Sequence, residues 1–156
     1  AQEKSEYRGM GTTLSALLLL DRKAEIYNVG DSRIYLFSDN GLFQLTEDHS
    51  IVWEKYRQRM ISKEDIITQP EKNLVTQAIG FLPSCKIFSD SIELPEKYII
   101  LICSDGLTDV IPDRKIENLL SRTKNLDNAL KSLYQISQNN GSRDDVTMIL
   151  ISNFLK

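Results

Sequence analysis

A single histidine, His49, and two cysteines, Cys85 and Cys103, are all the imidazole and thiol that 156 residues provide. So few soft ligands leave no set of histidines and cysteines from which to build a zinc site. Any Ser-His-Asp or Cys-His system would have to run through His49, and its setting, Asp48-His49-Ser50, reads more simply as a capped helix start. Cys103 lies in an apolar run and is expected as a free, packed thiol, which fits a reducing cytoplasm. Charge of one sign is also missing: 19 basic and 22 acidic residues are well mixed, for a net charge of −3. That balance gives no footprint for nucleic acid or an anionic membrane. Long hydrophobic runs are absent, since Leu14 to Leu20 is interrupted by Ser15 and is far too short to cross a bilayer. Gly9-Met10-Gly11-Thr12 lacks the lysine of a phosphate loop. No internal repeat or low-complexity stretch occurs. The N-terminus has neither the layout of a signal peptide nor an initiating methionine.

What the sequence does have is the length of one domain, enough to bury roughly two-thirds of its unfolded surface. Its organising stretch is Tyr98-Ile99-Ile100-Leu101-Ile102-Cys103-Ser104-Asp105-Gly106. A short, continuous apolar run rich in β-branched residues predicts a strand buried on both faces. The chain then turns at Asp105, and Gly106 allows a sharp turn and close approach. Upstream, Leu14–Leu20 reads as a buried strand, Ala24–Val29 alternates with period two, and Arg33–Phe37 is strand-like. Asn40-Gly41 is a hairpin signal before Leu42–Leu45. These four are expected to form an antiparallel meander. From Thr46 to Gly80 the pattern changes: Ile51, Val52, Lys55, Tyr56 and Met60 approach helical spacing, and Ser62 with Asp65 resembles a capping box. Trp53 and Tyr56 are read as core partners, and Arg57 and Arg59 as solvated. Lys86–Glu93 is a further strand. A helix is expected from Asp113 over Ile116, Leu119 and Leu120, and a second from Asn125 over Leu126, Ala129, Leu130, Leu133 and Ile136. Val146–Ile151 is read as a last buried strand. The class is α+β.

The chemistry rests on three aspartates. Asp105 follows one strand, Asp144 precedes another, and Asp31 occupies a turn between two more. Were the strands antiparallel neighbours, all three would reach one sheet edge. Clustered carboxylates repel unless a cation neutralises them, so the cluster predicts a divalent ion. Oxygen donors favour magnesium, manganese or calcium over zinc. Turn aspartates are common, so spacing alone carries this only part of the way.

Five segments occur in order: Gly9-Met10-Gly11-Thr12-Thr13; Asn28-Val29-Gly30-Asp31-Ser32-Arg33; Gln44-Leu45-Thr46-Glu47-Asp48-His49-Ser50; Ser104-Asp105-Gly106-Leu107-Thr108-Asp109; and Asp144-Asp145-Val146-Thr147. Together they closely resemble the bacterial branch of the protein phosphatase 2C family, metal-dependent serine/threonine phosphatases. The resemblance implies a sandwich of two antiparallel β-sheets flanked by helices, and hydrolysis of phosphoserine and phosphothreonine in proteins by a metal-activated water. It implies manganese or magnesium, two ions with a third in bacterial members. Asp105 and Asp144 match ligands of the metal pair, and Asp31 matches the residue that, with Asp105, holds the third ion. No catalytic group beyond these ligands is identified. The segment from about 46 to 80 resembles the flap that shapes substrate access. The implied partner is a phosphoprotein substrate, with a cognate serine/threonine kinase as a candidate, and the implied complete enzyme is a cytoplasmic monomer. Asp145 stands where the family usually has asparagine, adding a negative charge. Residues 1–156 contain no match to the family's Asp-Gly-x-Gly-Gly-His segment or its phosphate-gripping arginine. The chain is therefore read as one domain, 1–156, forming the C-terminal part of a phosphatase 2C-like unit. The alternative is a catalytically inactive, phosphatase-like binding module or regulatory fragment.

Overall fold

A computed structural model describes residues 4–81 and 84–155 of the chain. The expected strands are present as β1 (Leu14–Leu20), β2 (Lys23–Val29), β3 (Arg33–Ser38), β4 (Gly41–Gln44), β5 (Phe88–Glu93), β6 (Ile99–Cys103) and β7 (Met148–Ser152). Of the first nine residues, 1–3 lie outside the described set and Ser5–Tyr7 forms one 3-10 turn. The helices are α1 (Ile51–Arg57), α2 (Asp105–Thr108), α3 (Asp113–Leu120) and α4 (Leu126–Asn139). Asn125 caps α4 by accepting from the Asn128 amide at 3.0 Å, as the sequence predicts.

The expected four-strand meander does not form. β1, β2 and β5 make one antiparallel sheet, and β4, β3, β6 and β7 make a second. β2 and β3 are consecutive but do not pair: the chain passes from one sheet to the other at Gly30-Asp31-Ser32. The crossing point is locally crowded. Gly30 has φ +103°, and a Cβ there would collide with the Thr13 side chain at the head of β1. Only glycine lets the two segments meet so closely.

The two sheets close on each other through Ala24 and Ile26 from the first and Ile34, Leu36 and Ile100 from the second. On its other face the second sheet carries Tyr35, Ile99, Leu101 and Cys103 against Leu107, Ile111, Ile116, Leu120, Ala129 and Leu133 of the helical segment. β6 lies between β3 and β7 and between these two cores. Ile99, Ile100 and Leu101 are each at most 1% exposed, which is why its sequence reads as an unbroken apolar run. Two other strands are less buried than their composition suggests. β1 is an edge strand whose Leu14, Leu18 and Leu20 are each nearly half exposed. β7 also lies at an edge, and its Ile149 is 51% exposed. Leucine and isoleucine content reports apolarity, and strand position decides how much of it is covered.

The segment 46–80 holds α1, a 3-10 turn at Ile66–Thr68 and two single bridges, Ser50 to Val75 and Thr12 to Ile79. Ser62 and Asp65 exchange hydrogen bonds in capping-box fashion, but the element that follows is the 3-10 turn rather than an α-helix. Val52, Trp53 and Ile66 form a small core with Tyr56, and the Trp53 and Tyr56 rings meet edge-on at 5.3 Å. Arg57 is more than half exposed beside Glu47.

Candidate functional site

Strand register brings the three aspartates to one end of the second sheet. Arg33 pairs with Cys103, and Cys103 pairs with Met148. Asp31 therefore lies just before β3 beside Asp105, just after β6, and the 144–147 segment enters β7 on the other side. Asp31 and Asp105 both line a cavity of about 300 Å³, with Arg33, Asp48, Lys63, Lys72, Asp109 and Asp113 also in its wall.

Each position has a local cause. The Gly30 amide donates to His49 Nδ1 at 3.2 Å, and the His49 amide returns a bond to the Gly30 carbonyl at 2.9 Å. Asn28, buried, donates to the carbonyls of Gly30 and Glu47. This fixes the loop that presents Asp31 and gives His49 the structural role expected of it. Burial lowers the His49 pKa, in keeping with an unprotonated, accepting Nδ1. Ser50 caps α1 by accepting from the Trp53 amide.

Asp105 is not in a turn, as expected, but is the first residue of α2. Ser104 ties this point to β7's approach, donating to the Asp145 carbonyl at 2.9 Å and accepting from the Thr147 amide at 3.0 Å. A Cβ on Gly106 would lie 2.6 Å from the Asp145 carbonyl oxygen and 3.2 Å from that of Asp144. The close approach that glycine permits here is thus that of the 144–145 backbone, and it sets Asp144 beside Asp105.

The carboxylates strain one another. Asp31 is pushed up to about 7, by burial first and then by the charges of Asp105 and Asp48. Asp105 is raised by burial, then by Asp109 and Asp144. The nearby cation relieves Asp31 only slightly. Arg33 is turned onto Asp48: its Nε reaches both carboxylate oxygens at 3.0 and 2.9 Å, and its Nη2 reaches one at 2.6 Å. Gln44 adds a further bond to Asp48 at 2.8 Å. Burial raises the Asp48 carboxyl against the pull of Arg33, and the carboxylate beside it holds Arg33 charged.

All-oxygen donors whose proton affinity is raised by burial and then by mutual repulsion suit a hard divalent cation. Asp31 and Asp105 fit that chemistry. They do not make a full ligand set: among the described residues, no group of three histidine, cysteine, aspartate or glutamate side chains is placed to hold a metal ion. Asp144 neighbours Asp105 without joining the cavity wall.

A family model for protein phosphatase 2C matches residues 1–146. The chain belongs to the protein phosphatase 2C family. It is similar to the serine/threonine phosphatase stp of Listeria welshimeri, 36% identical over 155 residues that cover 99% of this chain and 62% of the relative. The crystal structure of Stp1 from Staphylococcus aureus superposes with a TM-score of 0.90 at 35% identity, covering 96% of this chain and 59% of that one. The catalytic domain of the phosphatase PstP, solved in complex with two manganese ions, gives a TM-score of 0.84 at 26% identity, covering 99% of this chain and 64% of that one. The chain thus spans about three-fifths of the length of these relatives. The two-sheet sandwich with helices is the phosphatase 2C fold that the motifs imply.

Beyond Asp31 and Asp105, the cavity wall contains residues that sequence reasoning assigned no role. Asp109 follows Asp105 by four residues, and the separation places both on one helix face, but only once α2 is known to be helical. Asp48 is inside a quoted motif, where its role as the Arg33 acceptor is hidden by a separation of fifteen positions. Lys63, Lys72 and Asp113 carry no sequence signal.

Proposed function

We propose that this chain contributes the carboxylate-bearing part of a metal-dependent phosphatase acting on phosphoserine and phosphothreonine in proteins. The observation that carries the reading is the shared cavity wall of Asp31 and Asp105, each raised in proton affinity by burial and then by neighbouring carboxylates. Asp31, Asp105 and Asp144 are the residues that would hold manganese or magnesium. When bound, such a cation supplies Lewis acidity that makes water a nucleophile near neutral pH. The chain's own residues do the rest. The Gly30–His49 exchange and the Ser104–Asp145 clamp orient the carboxylates. Asp48 keeps Arg33 from neutralising Asp31. The segment 46–80 acts as the flap over the cavity. Complete activity needs the Asp-Gly-x-Gly-Gly-His segment of the family, which residues 1–156 do not contain. The substrate is a phosphoprotein, and the kinase that phosphorylates it is the natural partner.

The test is hydrolysis of a phosphothreonine peptide with manganese, by this chain and by a form extended to the length of its relatives, together with calorimetric titration of manganese. Manganese binding that disappears in Asp105→Asn, with activity in the longer form, supports the proposal. A longer form that binds manganese and leaves every phosphopeptide intact refutes it. The missing third ligand among the described residues favours one second reading, a phosphatase-like binding module. That reading predicts partner capture by this chain without any manganese titration.

A further inference from the structure

One chain of hydrogen bonds runs under the cavity and fastens the 46–80 segment at two points. Its root is Asp48, gripped by Arg33. Arg33 Nη1 donates to Tyr35 Oη at 3.0 Å, and the fully buried Tyr35 donates on to Asp113 Oδ1 at 2.9 Å. The other oxygen of Asp113 pairs with Lys63 Nζ at 2.8 Å. That ammonium also stands 5.9 Å from the Trp53 ring centroid. The links therefore pass from the segment's root into β3, across to the first residue of α3, and back to the segment at Lys63. The links among Asp48, Arg33 and Tyr35 are buried or nearly so. Asp113 and Lys63 are each 34% exposed, so theirs is the contact that water can reach. Exposed pairs are individually weak, whereas the internal links are charge-assisted and sheltered.

We infer that Tyr35 and Asp113 are positioning residues that hold Lys63 against the core, so that the Lys63–Asp113 contact, beside the Lys72–Asp109 pair, restrains the opening of the 46–80 segment over the Asp31–Asp105 cavity. The consequence for specificity rests on the function proposed above. A latch of this kind limits entry of a phosphorylated protein segment and leaves a small aryl phosphate unaffected. Local opening of a segment with a three-residue core is inexpensive compared with global unfolding, so the latch governs access without governing the fold.

Trp53 is the single tryptophan of the 156 residues and is 7% exposed, so acrylamide quenching of its fluorescence reports opening directly. Tyr35→Phe removes one hydroxyl and leaves Trp53 and Lys63 in place. It is expected to raise the quenching constant roughly two- to three-fold with secondary structure retained. Lys63→Met does the same, and the double variant is no more open than Lys63→Met alone, because both act through one path. In an active longer form, Tyr35→Phe changes KM for a phosphothreonine peptide and not for a small aryl phosphate. Quenching unchanged in Tyr35→Phe, or additive in the double variant, overturns the latch whatever the activity. Hydrolysis of neither substrate by any form, with quenching changed as stated, refutes the phosphatase reading and leaves the latch standing.

Discussion

Removing the Asp48 carboxylate leaves a guanidinium stranded. Asp48 is 3% exposed at its side chain and Arg33 12%, and the pair is joined by three short contacts from Nε and Nη2. In Asp48→Ala the Arg33 charge keeps the Tyr35 hydroxyl as its close acceptor, with only 12% of its side chain open to water. Breaking one partner of such a buried pair costs about 3–5 kcal/mol, a large share of the roughly 5–15 kcal/mol by which a domain is stable. At about 2–4 °C per kcal/mol for a chain of this length, the melting temperature should fall by roughly 6–20 °C. Replacing both members, as Arg33→Met with Asp48→Leu, removes the unpaired charge and should recover most of the loss. Urea unfolding followed by circular dichroism measures both variants. A loss in Asp48→Ala below about 1 kcal/mol, the range of exposed pairs, would show that water reaches Arg33 and that the pair is not what holds it.

Asp31 titrates at about 7 in the folded chain against an ordinary value of 3.8, so the folded state binds the extra proton between those limits. Stability of the metal-free chain should therefore fall as pH rises from about 4 to about 7, with on the order of 4 kcal/mol at most lost above that window. Asp31→Asn should raise the melting temperature in EDTA at pH 8 and leave it unchanged at pH 4, and an equal gain at both would refute the assignment. Gly106→Ala would set a Cβ 2.6 Å from the Asp145 carbonyl oxygen, and the backbone shift should cost about 1–3 kcal/mol and weaken manganese binding in calorimetry. Burial pushes the Cys103 thiol up to about 12, so alkylation of the native chain should modify Cys85, which is partly exposed, and reach Cys103 only on unfolding.

The sequence announced strands more faithfully than it announced their partners. β6 was legible because burial on both faces leaves an unalternating apolar run, and the β3–β4 hairpin because Asn40-Gly41 supplies the turn. The sheet boundary was not legible. Gly30-Asp31-Ser32 has the composition of a hairpin turn, but β3 takes as its partners β4 and the far downstream β6 rather than β2. α2 was missed because four residues are too few to display a helical period. The exposure of β1 was missed because composition does not say which strand is last in a sheet.

For the site, the distinction is between residues that point at the cavity and residues that make it acidic. Asp31 and Asp105 were readable as carboxylates at strand ends. Why they remain strained was not readable, because it depends on where Arg33 points. Arg33 lies two residues from Asp31, close enough to satisfy it, yet among the causes that set the Asp31 pKa its charge is the least, behind Asp48 acting in the opposite sense. The guanidinium is committed to Asp48 and Tyr35 in the interior, so its field is largely cancelled at the cavity. The pair that is costly to break is therefore also what leaves Asp31 with little compensation from Arg33. Releasing Arg33 should lower the proton affinity of Asp31 and, by the same interaction, its affinity for a divalent ion.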